Sequence, residues 1–136
     1  MSENNGDREL TFDDIEAFDD VVRAKVKAFG GTVELVSLGA EGMAEYLEVR
    51  AEPTSEGMRN TILLVYSMLK PADWELPKEA RKELVYKRAK TLRKKNLNTL
   101  ADLTKKALEI NGLGEEQEAA RKNDSGEVLS GASPTL

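Results

Sequence analysis

The chain contains no cysteine and no histidine in 136 residues. Without cysteine there is no disulfide framework and no thiolate metal site. Without histidine the commonest general base and the commonest metal ligand are missing together. Aromatic residues make up only 5% of the chain, with Trp74 the single tryptophan. Long apolar runs are also absent. The longest, Thr61 to Leu69, falls far short of the roughly 20 residues that a membrane-spanning helix needs. The first residues are acidic and carry no apolar signal-like core, so export is not expected. Serines and threonines are scattered with no base to activate them. These absences set the expectation of a non-enzymatic chain with no catalytic residue, no cofactor and no metal.

What is present is charge. The charged fraction is 33% and the apolar fraction 40%, which suits a small core under a heavily charged surface. The expected organisation is a flexible arm over 1–9, one globular domain over 10–113, and a helical extension with a disordered tail over 114–136. The net charge of −5 hides a segregation. Residues 1–20 hold eight acids against Arg8 alone, whereas residues 81–106 hold ten Lys/Arg against Glu83 and Asp102. Such asymmetry marks either an interaction surface or internal pairing of the acidic arm with the basic helix.

Periodicity predicts a mostly helical α+β fold with one hairpin. Thr11 is placed to cap a short helix that ends near Asp19 or Asp20, with Leu10 and Ile15 as a hydrophobic staple. Val22, Ala24, Val26 and Ala28 alternate with Arg23, Lys25 and Lys27, the signature of a half-buried strand. Gly30-Gly31 supplies a turn, and the chain returns through Thr32 to Leu38, giving a hairpin over about 22–38. A two-residue turn at the glycines sets Val26 against Leu35, Ala28 against Val33 and Lys27 against Glu34. Ala40 to Arg50 reads as a helix with Met43, Tyr46 and Leu47 inward. Glu56 to Lys70 reads as the core helix, with Met58, Ile62, Val65, Tyr66 and Leu69 on its stripe and Leu63, Leu64 and Met68 widening it. Pro71 ends it. Ala72 to Leu76 is expected to be a loop, and Pro77 to open a basic helix with a thin apolar line of Ala80, Leu84, Val85, Ala89 and Leu92. After Asn96 and Asn98 the stripe resumes at Leu100, Leu103, Ala107 and Ile110. Asn111-Gly112 stops it, with Leu113 positioned for a Schellman-type cap.

Two features invite binding readings. The basic helix, 78–95, carries Arg81, Lys82, Lys87, Arg88, Lys90, Arg93, Lys94 and Lys95 and could lie along phosphates as a small regulatory nucleic-acid-binding protein would. Against this, the chain is acidic overall, Tyr86 is the only aromatic residue in the run, and the charges surround the helix. Solvated surface or a docking face for an acidic protein is preferred. Trp74 and Tyr46 are candidate anchors, with core packing the plainer reading for each. The candidate partner-binding residues are Trp74, Arg81, Lys82, Lys87, Arg88, Arg93 and Lys94. Asp13-Asp14 and Asp19-Asp20 are read as solvated helix-end acids rather than a cation site. Gly30-Gly31 joins two strands and is no phosphate loop.

The order of motifs adds a resemblance. Thr11-Phe12-Asp13-Asp14-Ile15 precedes a strand running into Phe29-Gly30-Gly31-Thr32-Val33. Leu38 and Glu41 open a helix. A charged helix ends Ala107-Leu108-Glu109-Ile110-Asn111-Gly112-Leu113, and Glu118-Ala119-Ala120-Arg121-Lys122-Asn123 follows. Over roughly residues 10–123 this resembles the tail assembly chaperones of long-tailed, siphovirus-like bacteriophages. The resemblance implies a chaperone that coats the tape-measure protein, keeps it soluble and helps recruit tail tube protein. It also implies action in the host cytoplasm and absence from the mature virion. Self-association is a further candidate contact, and with no long apolar run no membrane contact is expected. The basic character of the segment from Pro71 to Leu97 departs from the family's pattern.

Overall fold

The computed structural model describes residues 8–52 and 55–113. It is an α+β domain of six helices and one antiparallel hairpin among these residues. Residues 1–7 of the expected arm over 1–9, and the extension over 114–136, lie outside them.

The chain opens with helix α1, Phe12–Ala17, fixed by a capping box. The Thr11 hydroxyl accepts from the Asp14 amide, and Asp14 accepts from the Thr11 amide at 2.9 Å. That amide hydrogen bond leads the causes that hold the Asp14 carboxyl below its usual pKa. The helix ends before Asp19, sooner than expected, and no residue in it is buried. Leu10 and Ile15, the expected staple, are both exposed.

The hairpin follows as β1, Arg23–Ala28, and β2, Gly31–Val36. Its register corrects the expected one. Val26 faces Val33, Lys25 faces Glu34, Ala24 faces Leu35 and Ala28 faces Gly31. The turn is Phe29-Gly30, with φ of 55° and 78°, and Gly31 is the first residue of β2. A shift of two residues keeps every side chain on its face, so alternation could not separate the two registers. The observed one opposes two β-branched valines and gives Leu35 a small partner, Ala24. Leu35 is fully buried.

Helix α2, Ala40–Arg50, has the expected bounds, and α3, Glu56–Met68, is capped by Ser55, whose hydroxyl accepts from the Met58 amide. Pro71–Trp74, which runs from the expected stop at Pro71 into the expected loop of 72–76, forms the short helix α4, because Asp73 at its third position accepts from the Lys70 amide at 3.0 Å. Helix α5, Lys78–Leu92, begins one residue after Pro77, which takes the capping position instead of the first turn. The basic helix, expected over 78–95, ends at Leu92 with a turn over 93–95, and Asn96 then starts α6, Leu97–Ile110, its side-chain oxygen accepting from the Asn98 and Thr99 amides. At the far end Leu113 donates to the Leu108 carbonyl at 2.7 Å and Gly112 to the Glu109 carbonyl at 3.1 Å. With Gly112 at a φ of 77°, this is the expected Schellman cap.

Helix α3 is the centre. It packs against α2, α5, α6 and β2. Ile62, Leu63, Val65, Tyr66 and Leu69 join one core with Tyr46, Val85 and Ala89; Leu64 joins a second with Leu35, Leu100, Leu103 and Ala107. A helix shared by two cores must be apolar over most of its circumference, as this one is. Two inward assignments fail: Leu47 and Ala80 are exposed. The inner face of α2 carries Gly42 and Glu45 beside Tyr46.

Candidate interaction site

Glu45 sits one turn beyond Gly42 on the stripe that also bears Tyr46, so α2 turns its carboxylate into the domain. Burial alone would push that carboxyl up. Hydrogen bonds from Arg81 and Tyr66 outweigh burial and hold it below its ordinary value. The Tyr66 hydroxyl donates to Oε2 at 2.7 Å, and Arg81 Nε donates to the same oxygen at 3.0 Å while Nη2 reaches Oε1. Arg81 Nη1 donates onward to the carbonyls of Leu76, at 2.7 Å, and Trp74, at 3.1 Å. One guanidinium thus ties α2, α5 and the exit of α4 together, and this bidentate grip is a strong form of charge-assisted bond. Burial, then the bond to Glu45, push the Tyr66 phenol well above its usual range.

Trp74 closes this knot. Its ring lies 5.9 Å from that of Tyr66, with the Arg81 guanidinium 5.3 Å from its centroid. Gly42 makes room for it: a Cβ there would stand 3.0 Å from the indole. Trp74 is therefore half-buried packing at the edge of the core rather than a free anchor. Tyr46 is buried outright, edge-on to Tyr66.

The structure divides the other basic residues along α5. Lys78 and Lys82 approach Glu48 at 2.9 and 3.7 Å, and Arg88 approaches Asp73 at 3.3 Å. Lys78 is raised chiefly by its bond to Glu48. The acids that answer the basic helix from other elements belong to α2 and α4, and within α5 Glu79 stands 4.0 Å from Lys82. Those of the N-terminal segment pair locally, Asp14 with Arg8 and Asp19 with Arg23. The Arg93 guanidinium lies over Gly57 at the start of α3. Lys87 and Lys94 are exposed and make no ion pair among the described residues.

Lys87 and Arg88 also edge a shallow groove of about 500 Å³ between α3 and α5. Val65, Met68, Leu84 and Leu92 form its floor and Thr91 completes the wall. This apolar concavity borders the basic helix, and the charge pattern of the helix did not reveal it. Opposite in character is the segment 10–22. Phe12 is 75% exposed and Phe18 73%, with Leu10, Ile15, Val21 and Val22 also open to solvent, all set among Glu9, Asp13, Asp14, Glu16, Asp19 and Asp20.

Among the described residues no group of three or more Asp or Glu is disposed to hold a metal ion, and no helix is long and apolar enough to cross a membrane. Comparison with protein-family models, with curated proteins and with solved structures finds no match.

Proposed function

We propose that this chain is a tail assembly chaperone that binds the tape-measure protein in the host cytoplasm, keeps it soluble and assists tail tube assembly without entering the mature virion. The single observation that carries the reading is the apolar groove between α3 and α5 with a basic rim. It has the size and lining that an amphipathic helix with acidic flanks fills by the helix-in-groove mode. The ordered motifs from Thr11 to Asn123 supply the identity of the client. An elongated helical client exposes apolar stripes that associate unless covered, and a compact acidic partner adds the charge that opposes association. The buried ionisable cluster, Glu45 with Arg81 and Tyr66, has its bonds satisfied within the protein, which supports a structural rather than a catalytic use.

Co-expression with the candidate tape-measure protein tests the proposal. Client recovered in the soluble fraction, and co-purifying, only when this chain is present is the expected result. A client equally soluble alone, with no co-purification, overturns it. The alternative, a small nucleic-acid-binding protein using 78–95, is favoured by one observation, the exposed cations Lys87, Lys94 and Lys95. Gel shift at low salt with duplex and single-stranded DNA decides it. Tight binding that weakens steeply with salt supports the alternative, and no binding at micromolar protein removes it.

A further inference from the structure

The core holds two tyrosines edge-on to each other, their ring centroids 6.4 Å apart, and each is approached by arginine. Around the Tyr66 hydroxyl the charges balance: Arg81 is gripped by Glu45, and its Nη1 reaches two carbonyls. Around Tyr46 they do not. Arg50, one turn further along α2, stands over the Tyr46 ring, 5.8 Å from its centroid. Arg59 arrives from the start of α3. Burial pushes the Tyr46 phenol up, and the charges of both arginines oppose that push. Neither arginine makes an ion pair among the described residues. Glu48 is taken by Lys78 and Lys82, and Glu52 and Glu56 pair with neither. The Nε of Arg59 is covered by protein and has no acceptor, the one such side-chain atom among the described residues. A buried donor left unsatisfied is both costly and uncommon.

We propose that Arg50 and Arg59, beside the Tyr46 hydroxyl, form a binding site for a phosphate group. The arrangement repeats that of Tyr66 and Arg81 with a second cation where Glu45 would stand. Two cations from neighbouring helices converge with no counter-charge from the protein, so the anion that completes the cluster comes from outside. The amino end of α3 adds partial positive charge at the same corner, and Arg93 lies over Gly57 there. A tetrahedral dianion offers acceptors to guanidiniums that arrive from two helices, whereas a planar carboxylate fills a single fork. Binding turns the Arg59 guanidinium so that Nε and an Nη donate together, which relieves its unsatisfied donor. The site shares no residue with the groove between α3 and α5, and it stands or falls apart from the client reading.

Titration of the isotope-labelled full chain with inorganic phosphate, at fixed pH and ionic strength, reads the site by NMR. Saturable shifts are expected at the Arg59 Nε–H and at the amides of residues 46, 50 and 55–59. Glycerol phosphate, run in parallel, separates the sources: a site for the free ion binds it more weakly, and a site for an esterified phosphoryl group binds it as well or better. Arg50→Met and Arg59→Met are each expected to weaken binding at least about tenfold. Arg59→Lys, which keeps the charge but not the fork, is expected to weaken it several-fold. Because the Arg59 Nε bonds nothing within the fold, Arg59→Met is expected to unfold at or above the wild-type temperature. Shifts that grow without saturation, that gather on Lys87, Lys94 and Lys95, or that persist in Arg59→Met overturn the inference. Acetate binding as tightly as phosphate overturns it too, as does a marked fall in Tm for Arg59→Met, which would make that residue a structural one.

Discussion

Glu45→Ala is the most severe single test of how this domain is held together. The carboxylate is nearly inaccessible, with a side chain 6% exposed against 14% for Arg81. Removing one member of a buried pair leaves the other charge without its partner, at a cost of about 3–5 kcal/mol. Arg81 keeps the carbonyls of Trp74 and Leu76 and sits at the edge of the domain, which argues for the low end. Tyr66, itself buried, also loses the acceptor of its hydroxyl. The expected loss is about 3 kcal/mol, or roughly 12–24 °C in Tm for a domain of this size. Thermal unfolding by circular dichroism and urea titration measure it. Because the folded pKa of Glu45 is depressed, the ion pair contributes fully above the unfolded pKa near 4.5 and is lost as pH falls through the folded value. The stability gap between wild type and Glu45→Gln should therefore narrow as the solution is acidified below about pH 5. Arg81→Met should overlap with Glu45→Ala in a double-mutant cycle. A loss under about 1 kcal/mol, or two losses that simply add, would show that the knot is incidental.

Leu69→Ala empties a site that is 5% exposed in the principal core, and should cost about 2–5 kcal/mol by urea unfolding. Gly31→Val should be tolerated, because Gly31 is a strand residue with open space around it, whereas Gly30→Val should lose about 1 kcal/mol or more at a φ of 78°. Phe29 is a half-exposed aromatic held at a φ of 55°. Phe29→Asn, which makes the preferred Asn-Gly turn, should raise stability by about 1 kcal/mol. Asn111→Ala should cost about 1–3 kcal/mol, since that side chain receives the Leu38 amide at 2.8 Å and donates to the buried Ser67 hydroxyl at 3.1 Å.

Most of the framework was legible because it rests on short-range rules. Helix α2 and the start of α3 follow from stripe, cap and proline, and the end of α6 follows from Asn111-Gly112-Leu113. Burial of Ile62, Val65 and Leu69, at 1%, 2% and 5% exposure, follows from period alone. What failed did so where two local choices were nearly degenerate. The hairpin register turned on which two residues make the turn. A Gly-Gly pair looks the better candidate until the cross-strand pairs are weighed, and both registers satisfy the alternation. Residues 72–76 read as loop because two prolines bracket them, yet Pro71 suits the first turn of a helix and Asp73 caps it.

The site was harder to read for a different reason: charge in a sequence does not say where its counter-charge lies. Ten cations over 81–106 suggested either a ligand or the acidic arm. The structure answers Lys78, Arg81, Lys82 and Arg88 of α5 with Glu45, Glu48 and Asp73, none of them in that arm. One signal could have found the knot. Glu45 stands at the inward position of a stripe through Gly42, Tyr46 and Val49, and a carboxylate there demands a buried partner. Gly42 reads from sequence only as a weak helix residue; its use, admitting Trp74 against α2, depends on a neighbour thirty-two positions away. The same logic runs forward to the unmatched charges. Once Arg81, Lys82 and Arg88 are partnered inside the fold, the cations left at the groove are few. Lys87 is therefore a sharper target for charge reversal than the basic run as a whole.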